Sequence, residues 1–445
     1  MKRFWLVMLS LGLVLAFSAS AMAVDVKFSG SFYAAGMYLD KTTLQNTTAV
    51  SGSDNVSTAF YFQRLRVQTD FIVSPGLKLV TRIDAMERAW GAPRSTAGTG
   101  LDTGSAGTAA ENENIVFDWA YINYASPIGT FDVGYMNYGA TGTIFGNSSK
   151  PVGRIKYSYT IGPATINANL SKIIDYSNTA KRNVTYTDAD QDAYQIEGVY
   201  TITKDAKVGL AVNYYRYADN RIAASNPYIK AYYQFTPYAI AKIGPVALQA
   251  ELIYAFGDDK DYELTSSGAN KTLSNLAGWI DATADFGPVY FGGTFAYISG
   301  DDPGTTDKIE GGTVTGGIDW NPTLIMFNQD RVYWAGALPG YDTTTNTSAM
   351  SNAWFGQGRI GVRPITALDI MASLSYAAAD QKPSGVLNSA YGWEVDVTGT
   401  YKITNNLSYM MGLGYLFTGD YYKGSSNANT LRDNYMLINK LTLTF

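Results

Sequence analysis

The last fifteen residues of the chain, 431–445, alternate between apolar and polar side chains. From residue 435 onward, the alternate positions of one face are apolar apart from Asn439: Tyr435, Leu437, Leu441, Leu443 and Phe445. Strict alternation over about ten residues is typical of a strand with lipid on one side and water on the other. A strand at the edge of a soluble sheet alternates as well. The fold therefore depends on whether the rest of the chain repeats the pattern.

The N-terminus has the layout of a secretory signal peptide. Lys2 and Arg3 precede an apolar run over 4–17, and a small-x-small cleavage pattern follows this run. The run is too short to span a membrane as a helix, and a buried N-terminal helix is the alternative interpretation. We expect a signal peptide over 1–23 and a single exported domain over 24–445.

Composition excludes several classes of function. The chain has no Cys and no His, so disulfides, thiolate zinc sites and iron–sulfur clusters are excluded, and the usual general base is missing. A net charge of −5 argues against nucleic-acid binding. No second apolar stretch approaches the roughly 18 residues of a membrane helix. We expect no enzyme activity, no metal and no cofactor.

Tight-turn signals divide the chain into alternating segments. Gly, Pro and Asn cluster in short turns because these turns need backbone conformations that strand interiors avoid. Eight such turns stand out, at 74–76, 126–129, 161–163, 204–206, 243–245, 286–288, 364–367 and 404–406. Longer polar segments lie between them, at 40–57, 91–114, 176–190, 258–273, 301–350 and 419–430. Short turns at one end and long loops at the other are typical of outer-membrane barrels.

The turns also predict the number of strands. Eight turns define eight hairpins, and single strands precede and follow them at about 24–39 and at 431–445. We predict an all-β fold, a transmembrane antiparallel up-and-down β-barrel of about 18 strands with short periplasmic turns and long extracellular loops. The count falls to sixteen if a weak segment such as 225–243, which contains Pro237, is not a strand. A soluble β-sandwich is the alternative, although it would need polar outer faces.

A barrel of this width encloses an aqueous channel, and the alternation assigns charged side chains to its lining. Basic residues gather early in the chain, at Arg64, Arg66, Lys78, Arg82, Arg154 and Lys156. Acidic residues follow later, at Glu251, Asp281 and Asp285. In an eighteen-strand ring the second and third strands face the eleventh and twelfth. A basic wall would then oppose an acidic wall and orient polar solutes.

The basic wall admits two interpretations. In the first, the guanidiniums of Arg64, Arg66 and Arg82 are unpaired and act on passing ions. Water in the lumen screens charge over ~10 Å at 0.1 M salt, so this requires a constricted section. In the second, neighbouring carboxylates neutralise them, for example Asp70 or Asp84 beside Arg82.

In its architecture the whole of 24–445 resembles the general porin superfamily of Gram-negative bacteria. The most porin-like run is 117–135, which reads FDWAYINYASPIGTFDVGY as strand, tight turn and strand, and the terminal strand ending at Phe445 resembles that of bacterial outer-membrane β-barrels. The resemblance implies an outer-membrane location, contact with lipids and lipopolysaccharide, and recognition of the terminal alternation by the barrel assembly machinery. It leaves open a homotrimer and an extracellular or periplasmic protein partner. It also implies that 139–151 matches the family's loop that folds into the lumen and narrows it.

The insertion at 301–350 departs from that pattern. Its middle part, 320–339, is too apolar for a freely solvated loop, so it must pack against the channel mouth, a neighbouring subunit or an external partner. The function that fits best is passive diffusion of small hydrophilic solutes or ions. The alternative is a scaffold barrel that docks or sheathes a partner such as a multihaem cytochrome in an extracellular electron conduit.

Overall fold

The computed structural model describes ten stretches of the chain. They are 24–46, 57–91, 115–139, 141–147, 150–176, 188–222, 226–264, 268–312, 319–346 and 348–445. The expected signal peptide at 1–23 lies outside the described residues. So do the central parts of the long polar segments 40–57, 91–114 and 176–190.

The described chain is almost entirely β-structure. The first ten strands are β1 (Asp25–Leu39), β2 (Thr58–Ser74), β3 (Leu77–Ala89), β4 (Ile115–Ser126), β5 (Gly129–Asn137), β6 (Pro151–Ile161), β7 (Ala164–Ile174), β8 (Gln191–Thr203), β9 (Ala206–Tyr217) and β10 (Tyr228–Ile243). The others are β11 (Val246–Tyr262), β12 (Lys271–Asp285), β13 (Val289–Ile298), β14 (Lys308–Ile309), β15 (Ala353–Ile365), β16 (Leu368–Ala378), β17 (Ala390–Lys402), β18 (Leu407–Thr418) and β19 (Asn434–Thr444).

Helical structure is confined, in the described part of the chain, to one α-helix and three short 3-10 turns. The α-helix is α1 (Gln329–Ala335), and the 3-10 turns are Asp219–Ile222, Tyr341–Thr343 and Asp420–Lys423. Among the described residues no helix is both long and apolar enough to cross a membrane.

Eighteen of these strands form one closed antiparallel barrel. Each strand pairs with its neighbours in the chain, and β1 pairs with β19 to close the cylinder. The two-residue β14 lies outside this ring and pairs in parallel with β12. The predicted fold class and the count of eighteen are confirmed, and the alternative of sixteen is wrong. Pro237 lies inside β10 and pairs with Leu210 of β9. It has no partner residue in β11, because proline has no N–H to donate to the hydrogen-bonded pairing of the two strands.

The eight tight turns occur where the sequence predicts them, all at the same end of the barrel. Each joins one strand to the next as a hairpin, from β2–β3 to β17–β18. Gly76 in the first of them has φ +80°, a conformation that favours glycine. Long connections, including the one between β13 and β15, lie at the opposite end.

The two faces of the wall differ in polarity. On β17, Trp393 is 48% exposed and Val395 is 36% exposed on the outside, whereas Glu394 between them is fully buried on the inside. Phe28, Phe117 and other large apolar side chains of the strands are likewise exposed on the outer face. A continuous exposed apolar belt of this kind suits lipid and not water.

Candidate functional site: the barrel interior

The apolar insertion packs against the inside of its own barrel. Glu394, which faces inward, accepts the backbone N–H groups of Ile325 and Met326 at 2.6 and 2.7 Å. Gln357 of β15 donates from Nε2 to the carbonyl oxygen of Pro322 at 2.7 Å. Ile325 and Met326 are fully buried. Of the three packing partners considered for 320–339, the barrel itself is therefore the one observed.

Helix α1 gives the insertion a defined shape. Asn328 caps its N-terminus by accepting the backbone N–H of Arg331 at 2.8 Å, and Gly336 ends it with φ +77°. The side chain of Arg331 is 1% exposed and donates to the carbonyl oxygens of Ile325 at 3.2 Å and Gly336 at 2.9 Å. These bonds fold the segment back on itself before it meets the wall.

A second segment enters the lumen from the connection between β5 and β6. Glu251 of β11 accepts the backbone N–H of Thr143 at 2.6 Å. Gly142 and Gly146 make this approach possible, because a Cβ at either position would overlap the Glu251 carboxylate. This placement agrees with the narrowing loop that the resemblance implies for 139–151.

The two inserted segments meet in the middle of the barrel. The ring of Phe145 stacks on that of Trp279 of β12, with centroids 5.7 Å apart and an interplanar angle of 3°. It also meets the ring of Trp320 of the insertion in an edge-to-face arrangement, with centroids 5.2 Å apart. Phe145 and Trp320 thus join the two inserted segments inside the barrel.

Two cavities lie in the barrel interior. The first, about 310 Å³, is bounded by the segment around Thr141 and by strands β6–β11. The second, about 500 Å³, is bounded by helix α1 and by β1–β4, β18 and β19. Both fall near the size range of small-molecule sites, ~300–1,000 Å³.

The predicted basic residues on β2 and β3 are paired with carboxylates. Arg66 forms a bidentate pair with Asp84, at 2.6 Å for both bonds, and also contacts Asp118 at 3.3 Å. Arg82 lies 2.8 Å from Asp118. Arg64 lies 3.5 Å from Glu87. The expectation of three unpaired guanidiniums is therefore wrong, and Arg82 is neutralised by Asp118 and not by Asp70 or Asp84.

The other basic residues have varied surroundings. Lys78 pairs with Asp70 at 2.7 Å. Arg154 has no carboxylate within ion-pair distance in the described part of the chain, and it donates to the carbonyl oxygen of Asn137 at 2.9 Å and to Gln195 at 3.2 Å. Lys156 forms no hydrogen bond or ion pair with any described residue.

Two of the three predicted acidic residues are paired as well. Asp281 binds Arg359 through both oxygens at 2.7 and 2.8 Å. Asp285 binds Arg363 at 3.0 Å. Glu251 is occupied by the inserted segment. Most charges of the two opposed walls are thus neutralised by near neighbours, which leaves less transverse field than the sequence suggests.

The predicted assembly residues lie on the outer face of the closing strand, β19, or just after it. The chain end pairs with β1, since the N–H of Phe445 donates to the carbonyl oxygen of Gly30 at 3.0 Å and the N–H of Gly30 donates back at 2.8 Å. Leu437, Leu441, Leu443 and Phe445 are each at least 38% exposed, and Tyr435 packs beside Tyr38. Their recognition by the assembly machinery stays a prediction.

Comparison with known proteins supports the architecture. A variant of OccD1 (OprD) aligns over 96% of this chain and 98% of its own, with a TM-score of 0.52 and 11% identity. The BenF-like porin from Pseudomonas fluorescens Pf-5 aligns over 95% and 99%, with a TM-score of 0.52 and 11% identity. This chain has the fold of a Gram-negative outer-membrane porin.

A third porin of this fold is OccK2 (OpdF) of Pseudomonas aeruginosa, solved in complex with glucuronate. It aligns over 95% of this chain and 97% of its own, with a TM-score of 0.51 and 12% identity. No protein-family model matches the sequence. No curated protein matches it either.

Several interior residues of this porin fold were not predicted as site residues. Asp118 is one, because a register shift between β3 and β4 turns both Asp118 and Trp119 toward Arg82. Glu394 is another, because its partners come from a segment 68 and 69 residues away. Its inward phase was visible in the alternation, but its role depends on the path of the insertion. The described residues contain no group of three or more acidic side chains that could hold a metal.

Proposed function

We propose that this chain forms a water-filled channel in the outer membrane, through which small hydrophilic solutes and ions diffuse passively. The observation that carries the proposal is a closed barrel with an apolar outer face, a polar inner face and cavities inside. Passive passage needs open space with hydrogen-bonding walls, and polar side chains line both cavities. The likeness in fold to several porins supports the same reading.

We propose that the chain reaches this location by export with a cleaved signal peptide over 1–23 and by insertion through the barrel assembly machinery. Outer-membrane lipids and lipopolysaccharide would surround the apolar belt. The same proposal includes a homotrimer and an extracellular or periplasmic protein partner.

The inserted segments inside the barrel favour the channel over the scaffold alternative. The segments around Thr143 and Ile325 occupy the middle of the lumen and meet at Phe145 and Trp320. The remaining cavities of about 310 and 500 Å³ are far too small for a folded protein domain. A sheathed cytochrome would have to displace both segments.

Reconstitution of the pure protein tests the proposal. We expect discrete conductance steps in planar bilayers made with the purified, folded chain in KCl, without any added partner. Folding is checked separately by β-dominated far-UV circular dichroism and by a heat-modifiable band in gel electrophoresis. Folded protein that yields no steps above those of protein-free bilayers would contradict the channel. Conductance that appears only with a haem protein present would favour the scaffold.

A further inference from the structure

The first cavity is lined mainly by uncharged polar and aromatic groups. Its tyrosines are Tyr138, Tyr215, Tyr217 and Tyr232, and its amides are Gln191, Gln195, Asn213 and Gln234. The second cavity is different, because it is lined by the charged residues Arg64, Arg66, Asp84, Glu87, Asp118, Asp330, Arg331 and Lys440. The lumen thus presents two chemically distinct surfaces.

Three charged residues border the first cavity. Glu251 accepts the backbone N–H of Thr143 at 2.6 Å and is 4% exposed, so the inserted segment occupies this carboxylate. Arg154 is 8% exposed, and its guanidinium donates to the carbonyl oxygens of Asn137 and Tyr138 at 2.9 and 3.4 Å. Arg154 has no carboxylate partner among the described residues, and Lys150, which also lines the cavity, is exposed.

The amides form an ordered polar wall. Gln195 accepts from Asn169 at 2.6 Å and donates to Asn213 at 2.9 Å and to Thr141 at 3.2 Å, so its orientation is set. Gln234 donates to Thr236 at 3.2 Å, while its carbonyl oxygen has no partner among the described residues. The side chain of Gln191 has no partner there either. An amide can donate and accept at once, as a hydroxyl can, so these free groups match alcohol ligands.

The tyrosines form an aromatic wall beside these amides. The rings of Tyr215 and Tyr232 stack with centroids 4.8 Å apart and an interplanar angle of 29°. Tyr138 meets Tyr215 edge-on at 6.4 Å, and Tyr217 meets Tyr232 edge-on at 6.1 Å. Tyrosine combines an apolar ring face with a polar hydroxyl, so such a wall can contact C–H surfaces and hydroxyls of the same ligand.

We propose that the first cavity is a binding site for polyhydroxylated solutes of monosaccharide size that carry no positive charge. Such a solute has hydroxyls around its edge for Gln191 and Gln234, and C–H faces for the ring of Tyr232. An isolated ammonium group would find no free carboxylate among the described residues inside the cavity, because the segment around Thr143 occupies Glu251, so burial there would cost more than it gains. This inference rests on the proposed channel and names one class of solute for it.

The test uses the full folded chain and D-glucose as the probe. In planar bilayers we expect glucose to reduce the single-channel conductance in a saturable way. Tyr232→Ala should raise the half-saturating glucose concentration roughly tenfold, whereas Tyr232→Phe, which keeps the ring, should change it by less than about threefold. Gln234→Ala should raise this concentration roughly fivefold. Tyr333→Ala is the matched control, since Tyr333 lines the charged cavity and is 38% exposed, and it should leave the glucose response unchanged.

Wild-type protein supplies a test that needs no variant. Protonated glucosamine, a cation of similar size and hydroxyl content, should bind more weakly than glucose. Equal or tighter binding of protonated glucosamine, or a glucose response that Tyr232→Ala leaves intact, would overturn the site. Glucose binding is also measured by calorimetry in detergent. A conducting channel that does not bind glucose would refute the site alone, whereas folded protein that binds glucose without conducting would refute the channel alone.

Discussion

Glu394 accepts the backbone N–H of Ile325 at 2.6 Å, across 69 residues of sequence. The bond joins the wall of the barrel to the segment that occupies its lumen. Glu251 and Thr143 repeat the arrangement on the other side, with a carboxylate of the wall and a backbone N–H of an inserted segment 2.6 Å apart. Two separate insertions are thus held in place by the same chemistry.

Removal of the Glu394 carboxylate should loosen the insertion. In Glu394→Ala the N–H groups of Ile325 and Met326 lose their acceptors, at a cost of about 1–3 kcal/mol for each unsatisfied group. We expect larger and more variable single-channel conductance than in the wild type. Glu310→Ala is the control, because Glu310 belongs to the same long connection and pairs only with near neighbours such as Lys308. Identical conductance histograms for Glu394→Ala and the wild type would count against this role.

The second inserted segment depends on glycine at its closest approach. A Cβ at Gly146 would overlap the Glu251 carboxylate, so Gly146→Ala should lift the segment from the wall and raise the conductance. Glu251→Ala removes both the bond and the overlap. The double variant should therefore behave like Glu251→Ala alone, a non-additive result expected of residues in contact. Additive effects on conductance would refute the contact, and Gly198→Ala, where a Cβ meets open space, should have no effect.

Ion selectivity should follow the paired charges on β2 and β3. Arg66→Gln leaves the Asp84 carboxylate without its bidentate partner, so the reversal potential should shift in the direction of cation selectivity. The free energy of unfolding should fall by roughly 3 kcal/mol. Adding Asp84→Asn removes the orphaned charge and should restore both quantities most of the way. The shift should shrink as the salt concentration rises, because salt screens the lumen charges. A double variant as cation-selective as the single one would show that the pair does not set the local charge.

Deletion of Phe445 should weaken closure of the barrel. The deletion removes two backbone hydrogen bonds to Gly30 and exposes the end of the β1–β19 seam. We expect a smaller fraction of folded protein in the outer membrane at unchanged synthesis, measured from the heat-modifiable band in membrane fractions. Phe417→Ala removes an equally exposed lipid-facing aromatic away from the seam and should have a smaller effect. Equal folded fractions in the deletion and the wild type would contradict the prediction.

The sequence alone determined the barrel. Alternation at a period of two and turn chemistry are local properties, and they were enough to predict eighteen strands, eight tight turns and the inward orientation of residues such as Arg66 and Asp281. A shift of one residue would place charges in lipid, so the phase is strongly constrained. The weak segment with Pro237 was also a strand, because its ladder to β11 could omit the proline.

The tertiary structure decided what the interior looks like. Whether Arg82 is free or paired depends on a register shift that aims Asp118 at it, and such a shift leaves no periodic signal in the sequence. The meeting of Phe145 and Trp320 depends on two long connections folding inward from distant strands. Alternation reports only which side of the wall a residue faces. The residues that it contacts on that side are set by the folding of the barrel and its insertions, which brings remote segments together.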